Sequence, residues 1–158
     1  MIQTDQGKIP IQLLNPKLHT IKHNKILAIT QSINTDEYCV LFKPHAFQKN
    51  VPSHPTIMTM NHQIFNETTR KMEKAKYFLN KNNDKICRIQ YDGSILYNIL
   101  MKKHQLIEAN NMKCETLHPN NIVARIYSSL EKDRLIPVMN QCILKRDQDG
   151  YKRIVERI

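Results

Sequence analysis

The residues that could do chemistry in this chain are scattered. His19 and His23 stand four apart, the spacing that puts two imidazoles on one helix face and suits a metal ion. The stretch between them reads as strand, however, and no H-E-x-x-H helix or carboxylate triad accompanies them. Isolated surface imidazoles are the plainer reading of the seven histidines. Cys39, Cys87, Cys114 and Cys142 stand singly, with no C-x-x-C pair to build a zinc knuckle or ribbon. Disulfides stay open on count alone, but no signal peptide implies an oxidising compartment, which favours reduced, partly buried thiols. Carboxylates paired for acid and base work are missing: Asp36-Glu37 reads as a turn, and Asp147 and Asp149 flank a turn. Three glycines leave no room for a Gly-rich phosphate loop. No cofactor and no metal site is expected, and a hydrolase or transferase is the least favoured class.

Charge says more than the polar motifs do. Lys and Arg number 24 against 14 Asp and Glu, a formal charge of +10 in 158 residues. Such a balance fits a polyanionic partner, DNA or RNA, whose phosphates release counterions on binding. Codon bias toward Lys, Asn and Ile is the bland alternative. Basic and aromatic residues interleave at Tyr38, Phe42, Lys43, His45, Phe47 and Lys49, which on a small barrel could stack and track a single strand. Core aromatics beside solvated lysines would give the same pattern. Arg70, Lys71 and Lys74 form either a phosphate-facing surface or a solvated face. The longest apolar runs fall far short of a membrane span, so no membrane partner is expected. The expected location is intracellular, with cytoplasm and nucleus both open.

Two regions with different periodicity must position these residues. Residues 1 to about 65 read as strands and turns, with apolar runs at 9–14, 25–30, 38–42 and 56–60. Asn15-Pro16 and the Pro-spaced loop 44–55 separate them. The period then changes: Asn66 offers a cap, and Met72, Ala75, Phe78 and Leu79 fall at helical spacing over 66–79. The polar stretch 80–84 marks the boundary between a β-rich region, 1–84, ending in a helix, and a second region, 85–158. There, 86–91 could be a strand and Asp92-Gly93-Ser94 a turn. Ile95, Ile99 and Ile107 mark one face of a helix over 94–110, stopped at Asn110-Asn111. His118-Pro119 opens a second helix to about residue 132, Pro137 forbids its continuation, and two apolar runs about Asp149-Gly150 predict a terminal hairpin. The expected fold class is α+β: a β-rich N-terminal region, as a small sheet or partial barrel, then two helices and a C-terminal β-hairpin.

That order over residues 88–158 resembles the omega-type small subunit of multisubunit DNA-dependent RNA polymerases, the subunit shared by the nuclear enzymes and found in viral transcription machines. Lys103-His104-Gln105-Leu106-Ile107, ahead of Asn110-Asn111, is similar to the motif ending that family's first helix, with His104 where the family has alanine. Pro119 and Ile122 match the opening of its second helix. Ile136-Pro137 and Asp149-Gly150-Tyr151 match its Ile-Pro and hairpin turn. The resemblance implies a non-catalytic accessory subunit, viral or virus-like, that docks on the largest polymerase subunit and assists assembly for transcription. Lys103, Gln105, Ile107, Ile136, Pro137 and Gly150 would then face or shape that partner, with no enzyme activity in the chain itself. A lone terminal hairpin edge is a liability in solution but a docking strand in a complex. Two other readings stay open. One is a single-stranded nucleic-acid-binding protein with an oligonucleotide-binding barrel, using Lys43, Phe47, Lys49, Arg70, Lys71 and Lys74. The other is a generic protein-interaction module.

Overall fold

The computed structural model describes residues 1–79 and 82–158. β1 (Ile2–Thr4) and β2 (Gly7–Ile9) form an opening hairpin, and β3 (Thr20–Ile21) turns directly into the long β4 (Asn24–Ser32). β5 (Tyr38–Phe42) and β6 (Thr56–Thr59) follow, then the hairpin of β7 (Gln63–Asn66) and β8 (Lys71–Lys74). β9 (Ile86–Gln90), β10 (Leu96–Met101), β11 (Leu106–Ala109) and β12 (Met112–Glu115) come next. The chain ends in α1 (Ile122–Ser128), α2 (Lys132–Leu144) and α3 (Gln148–Glu156). All strand pairs are antiparallel. They make a six-stranded sheet in the order β2-β1-β11-β12-β7-β8 and two three-stranded sheets, β10-β4-β3 and β6-β5-β9. The fold is α+β in the broad sense, and none of these sheets closes into a barrel among the described residues.

Side-chain alternation explains how the sheets meet. Val40 and Phe42 of β5, Ile64 of β7, Ile99 of β10 and Met112 of β12 all point into one core, where Phe78 and Ile86 join them. Burying each such side chain is worth roughly 1.5–3 kcal/mol. Tight turns fix the register. Lys22-His23 and Asn110-Asn111 are two-residue hairpin loops with left-handed backbone at both positions, φ 50° and 61° in the first and 48° and 67° in the second. That conformation matches the twist of paired strands, and Asn adopts it at little cost. Asp5 braces the first loop, its Oδ2 accepting from Thr20 Oγ1 at 2.6 Å and from the His23 N–H at 2.8 Å. These bonds, the Thr20 hydroxyl first, hold the Asp5 carboxyl below the ordinary aspartate range.

Four expected elements are corrected. The helix over 66–79 is the β7–β8 hairpin followed by a short 3-10 turn, Ala75–Phe78. Asn66 uses its capping chemistry on the hairpin loop instead: its Oδ1 accepts from the N–H groups of Thr68 and Thr69, and Arg70 adopts φ 58°. The helix over 94–110 is β10 and β11. A short apolar run satisfies helix and strand periods alike, and Tyr97 and Ile99 are better strand formers. Asn110-Asn111 does take the left-handed conformation, but to turn a hairpin. Pro137 lies inside α2 rather than ending a helix. Its missing N–H costs roughly 3 kcal/mol in mid-helix, and α2 continues because Met139 and Ile143 are buried beyond it, which offsets that loss. Finally, the terminal hairpin is α3. Asp147 caps it, its Oδ1 accepting the Gly150 N–H at 2.8 Å, so Asp149-Gly150 opens a helix instead of turning two strands. The strand runs at 25–30, 38–42, 56–60 and 86–91 match β4, β5, β6 and β9 closely. The polar stretch 80–84 falls partly outside the described residues, at 80 and 81.

The Lys22-His23 turn gives a direct test. His23→Val places a β-branched residue at φ 61° and should cost about 1–2 kcal/mol, whereas His23→Gly should not. Urea unfolding followed by circular dichroism reads the difference.

Candidate functional site

The most constrained polar cluster forms where β6 hands over to β7. The chain leaves β6 at Thr59 and closes a tight turn in which the His62 N–H reaches the Thr59 carbonyl at 3.2 Å. The 3-10 segment after β8 pins the far side of this turn: the Ala75 N–H donates to the His62 carbonyl and the Lys76 N–H to that of Met60, at 2.8 and 2.9 Å. Glu115, the last residue of β12, reaches over from the neighbouring strand. Its Oε1 accepts the Gln63 N–H at 3.0 Å, and its Oε2 lies 3.0 Å from His104 Nε2. The Glu115 side chain is 12% exposed and that of His104 34%. His118 lies edge-on to His104 with ring centroids 4.8 Å apart. Thr116, fully buried, holds the loop that carries His104 by pairing with Gln105 in both directions.

His62 sits at the centre of this arrangement. Desolvation pulls its pKa below the ordinary histidine value. The Glu115 carboxylate opposes that shift, His104 reinforces it, and a backbone hydrogen bond to Glu115 opposes it again. Burial thus favours the neutral form of the His62 imidazole. Nearby thiols shift in the opposite direction. Burial pushes the Cys114 thiol up to about 12 and also raises that of Cys39. Thiols so protonated are poor nucleophiles.

Two cavities share this wall. One, of about 360 Å³, runs from Met1 and Ile2 past Cys39 and Cys114 to His62. The other, of about 320 Å³, lies between His62 and the C-terminal helices, with Asn34, Asn121 and Tyr151 on its far side. Ser32, Thr59, His62, Leu96, Asn98 and Glu115 border both. Thr59 and Asn98 therefore offer neutral hydrogen-bonding groups beside the imidazole. Among the described residues no group of three or more His, Cys, Asp or Glu side chains is arranged to hold a metal ion.

The residues singled out from sequence lie elsewhere or serve packing. Lys103 is exposed in the link between β10 and β11, Gln105 bonds Thr116, and Ile107 is buried in the main core. Ile136 and Pro137 belong to α2, and Gly150 lies in the first turn of α3. Lys43 donates to the Asp84 carbonyl at 3.2 Å, and Lys49 is exposed on the loop after β5. Phe47, 40% exposed, packs its ring against Phe42 and Phe78. Arg70 pairs with Glu67 at 3.3 Å and lies over the Phe65 ring, and Lys71 and Lys74 lie on β8. His19 and His23 fall on either side of β3, with no third ligand. Of these residues only Ile107 borders a cavity, the first of the two, and it does so from the main core. Sequence reasoning missed Thr59, His62, Asn98 and Glu115. Their one signal was a histidine set three residues past a threonine at the end of a strand run.

The Hint domain family model matches residues 12–121, well over half of the chain. No curated protein and no solved structure matches it. The family match overturns the polymerase resemblance, and with it the reading as a transcription subunit and as part of a viral polymerase. The matched span contains both His62 and Glu115. The motif at 103–107, which carried that resemblance, crosses from a loop into β11 instead of ending a helix.

A folded state that keeps His62 neutral takes up fewer protons than the unfolded chain. Its contribution to stability is complete above about pH 6.5 and declines as the pH falls below that value. His62→Gln should flatten this part of the profile, read as the urea midpoint between about pH 7.5 and about pH 5.5.

Proposed function

We propose that this chain, which belongs to the Hint domain family, is an autoprocessing domain that rearranges a peptide bond with His62 as its proton-transfer residue. Hint domains include autoprocessing modules of the hedgehog and intein type. The single observation that carries the reading is the desolvated, neutral imidazole of His62 on a wall common to two cavities, beside Glu115 and His104.

Cleaving a peptide bond within a chain needs a nucleophile for the carbonyl carbon and a proton for the departing nitrogen. A neutral imidazole assists both in turn by moving one proton. It takes the proton of the attacking hydroxyl or thiol as the new bond to carbon forms. It then returns that proton to the nitrogen as the carbon–nitrogen bond breaks, leaving an ester or thioester and a free amine. Thr59 and Asn98 are suited to hydrogen-bond the carbonyl oxygen as negative charge builds on it. Glu115 orients the site through its bonds to the Gln63 amide and to His104. Cys39 and Cys114 are unsuited as nucleophiles because burial keeps them protonated. On this reading the attacking group lies on the segment that is cut. Met1 and Ile2 border the same cavity as His62, which favours a segment joined ahead of Met1.

The test is a short series of fusions in which a reporter precedes Met1 and one cysteine occupies successive positions just ahead of it. At least one fusion should release the reporter when a small thiol is added at neutral pH. His62→Ala should slow that release about 100-fold or more, and Glu115→Gln should slow it less. Release from none of the fusions, or an unchanged rate in His62→Ala, would overturn the reading.

A further inference from the structure

The family match ends at residue 121, where Asn121 caps α1. The three helices beyond it complete one side of the second cavity. α1 packs Val123 and Ala124 against Leu100 and Leu117, and α2 and α3 bring Met139, Ile143 and Tyr151 onto Ile33 at the end of β4. From this docked position Tyr151 and Val155 line the cavity across from His62, Asn98 and Thr116.

Tyr151 is set with unusual care. Asp147 folds back over Gly150, where any Cβ would collide with the carboxylate. The Tyr151 N–H then closes on the Asp147 carbonyl at 3.0 Å. The ring is almost completely buried. Burial drives its phenol up to about 12 against hydrogen bonding from the Ser32 side chain and the Ile33 backbone. Ser32 borders both cavities, so the Tyr151 hydroxyl is anchored on the wall that carries His62.

The cavity wall mixes polar residues with apolar ones such as Leu96, Leu117 and Val155, and Asp36 and Glu115 bring carboxylates to it. Thr59, Asn61 and Asn98 are among its polar lining residues, whereas Asn34, Asn121 and Thr116 use side-chain atoms on nearby backbone groups. The Oδ1 of Asn98 accepts the Ile99 N–H at 2.9 Å, which leaves its NH2 for the cleft. Hydrogen-bonding side chains set beside apolar surface suit an extended peptide, which carries N–H and C=O groups along its backbone and small apolar side chains between them. The volume of about 320 Å³ is at the small end for ligand pockets, roughly 300–1,000 Å³.

We propose that the cleft between His62 and α3 is a peptide-binding subsite, and that Tyr151 and Val155 set its bore so that only a segment with small side chains lies against His62. This deepens the autoprocessing reading by naming the segment that site accepts, and it is tested without any chemical step.

Two probes distinguish small from large side chains: N-acetyl-tri-alanine amide and the same peptide with tryptophan at its centre. Each is titrated into the full chain while the His62 side-chain resonances are followed by NMR. In the native protein the alanine peptide should shift His62 saturably, and the tryptophan peptide should bind at least about tenfold more weakly. Tyr151→Ala should bring the two peptides to within about threefold of each other. Tyr151→Phe keeps the ring, guards against a variant that fails to fold, and should retain the native preference. Val155→Phe should weaken binding of both. Equal binding of the two peptides by native protein, no response of His62 to either, or an equal change for both in Tyr151→Ala would overturn the proposal. If His62→Ala leaves the fusions' cleavage unchanged while this peptide preference holds, the autoprocessing reading fails and the subsite stands.

Discussion

The carboxylate of Glu115 ties the site together. One oxygen takes the backbone N–H that begins β7, and the other meets the imidazole of His104 on a separate loop. Three stretches of chain far apart in sequence are thereby held around His62. A carboxylate this little exposed is costly unless its lone pairs are filled, and hydrogen bonds to a charged group are the stronger kind. Loss of either partner leaves charge behind in a poorly hydrated place. The penalty falls on the geometry of the turn at 59–62 as much as on stability. For that reason the proton affinity of His62 and the packing of β7 against β12 belong to one physical problem.

That problem is nonlocal, which is why the sequence concealed it. Glu115 and Gln63 meet only because β12 pairs with β7, with Cys114 opposite Ile64. No spacing within either segment announces that contact. The strand content of the first half was legible, since β4 and β5 alternate or cluster apolar residues and end at turn formers. The second half misled through ambiguity rather than noise. In 94–110, apolar residues at 95, 99 and 107 satisfy a helical stripe, yet the same residues serve two short strands. Asn66 and Asn110-Asn111 gave true signals of turning. Each was attached to the wrong element, because an Asx side chain and a left-handed backbone serve hairpins and helix ends equally well.

The C-terminal segment shows the reverse error. Pro137 and Asp149-Gly150 are strong punctuation, and both were absorbed. α2 carries its proline because the residues beyond it fill a pocket of apolar surface at the end of β4. Asp149-Gly150 follows Asp147, which supplies an N-cap from its side chain and so turns a hairpin signature into a helix start. Local propensity lost each time to a contact made by a neighbour, a tertiary override that no window of the sequence contains.

The two errors share a consequence for how function is distributed along the chain. The residues matched by the family model include His62, in the turn before β7, and Glu115, at the end of β12, but they leave one flank of that wall without cover. α1 to α3 supply the cover, and they do so through an apolar cluster of their own, centred on Ile126, Met139 and Tyr151, that meets the strands through Ile33. A cluster with its own members can change sequence without disturbing the main core around Val40, Phe42 and Ile99. The two sides of the second cavity are thus built on separately packed parts. The turn that carries His62 is fixed by strand pairing and Glu115, while the opposite side is formed by a helix that Asp147 caps. On the proposed reading, substitutions in α3 retune what reaches His62 and leave the packing around Glu115 in place.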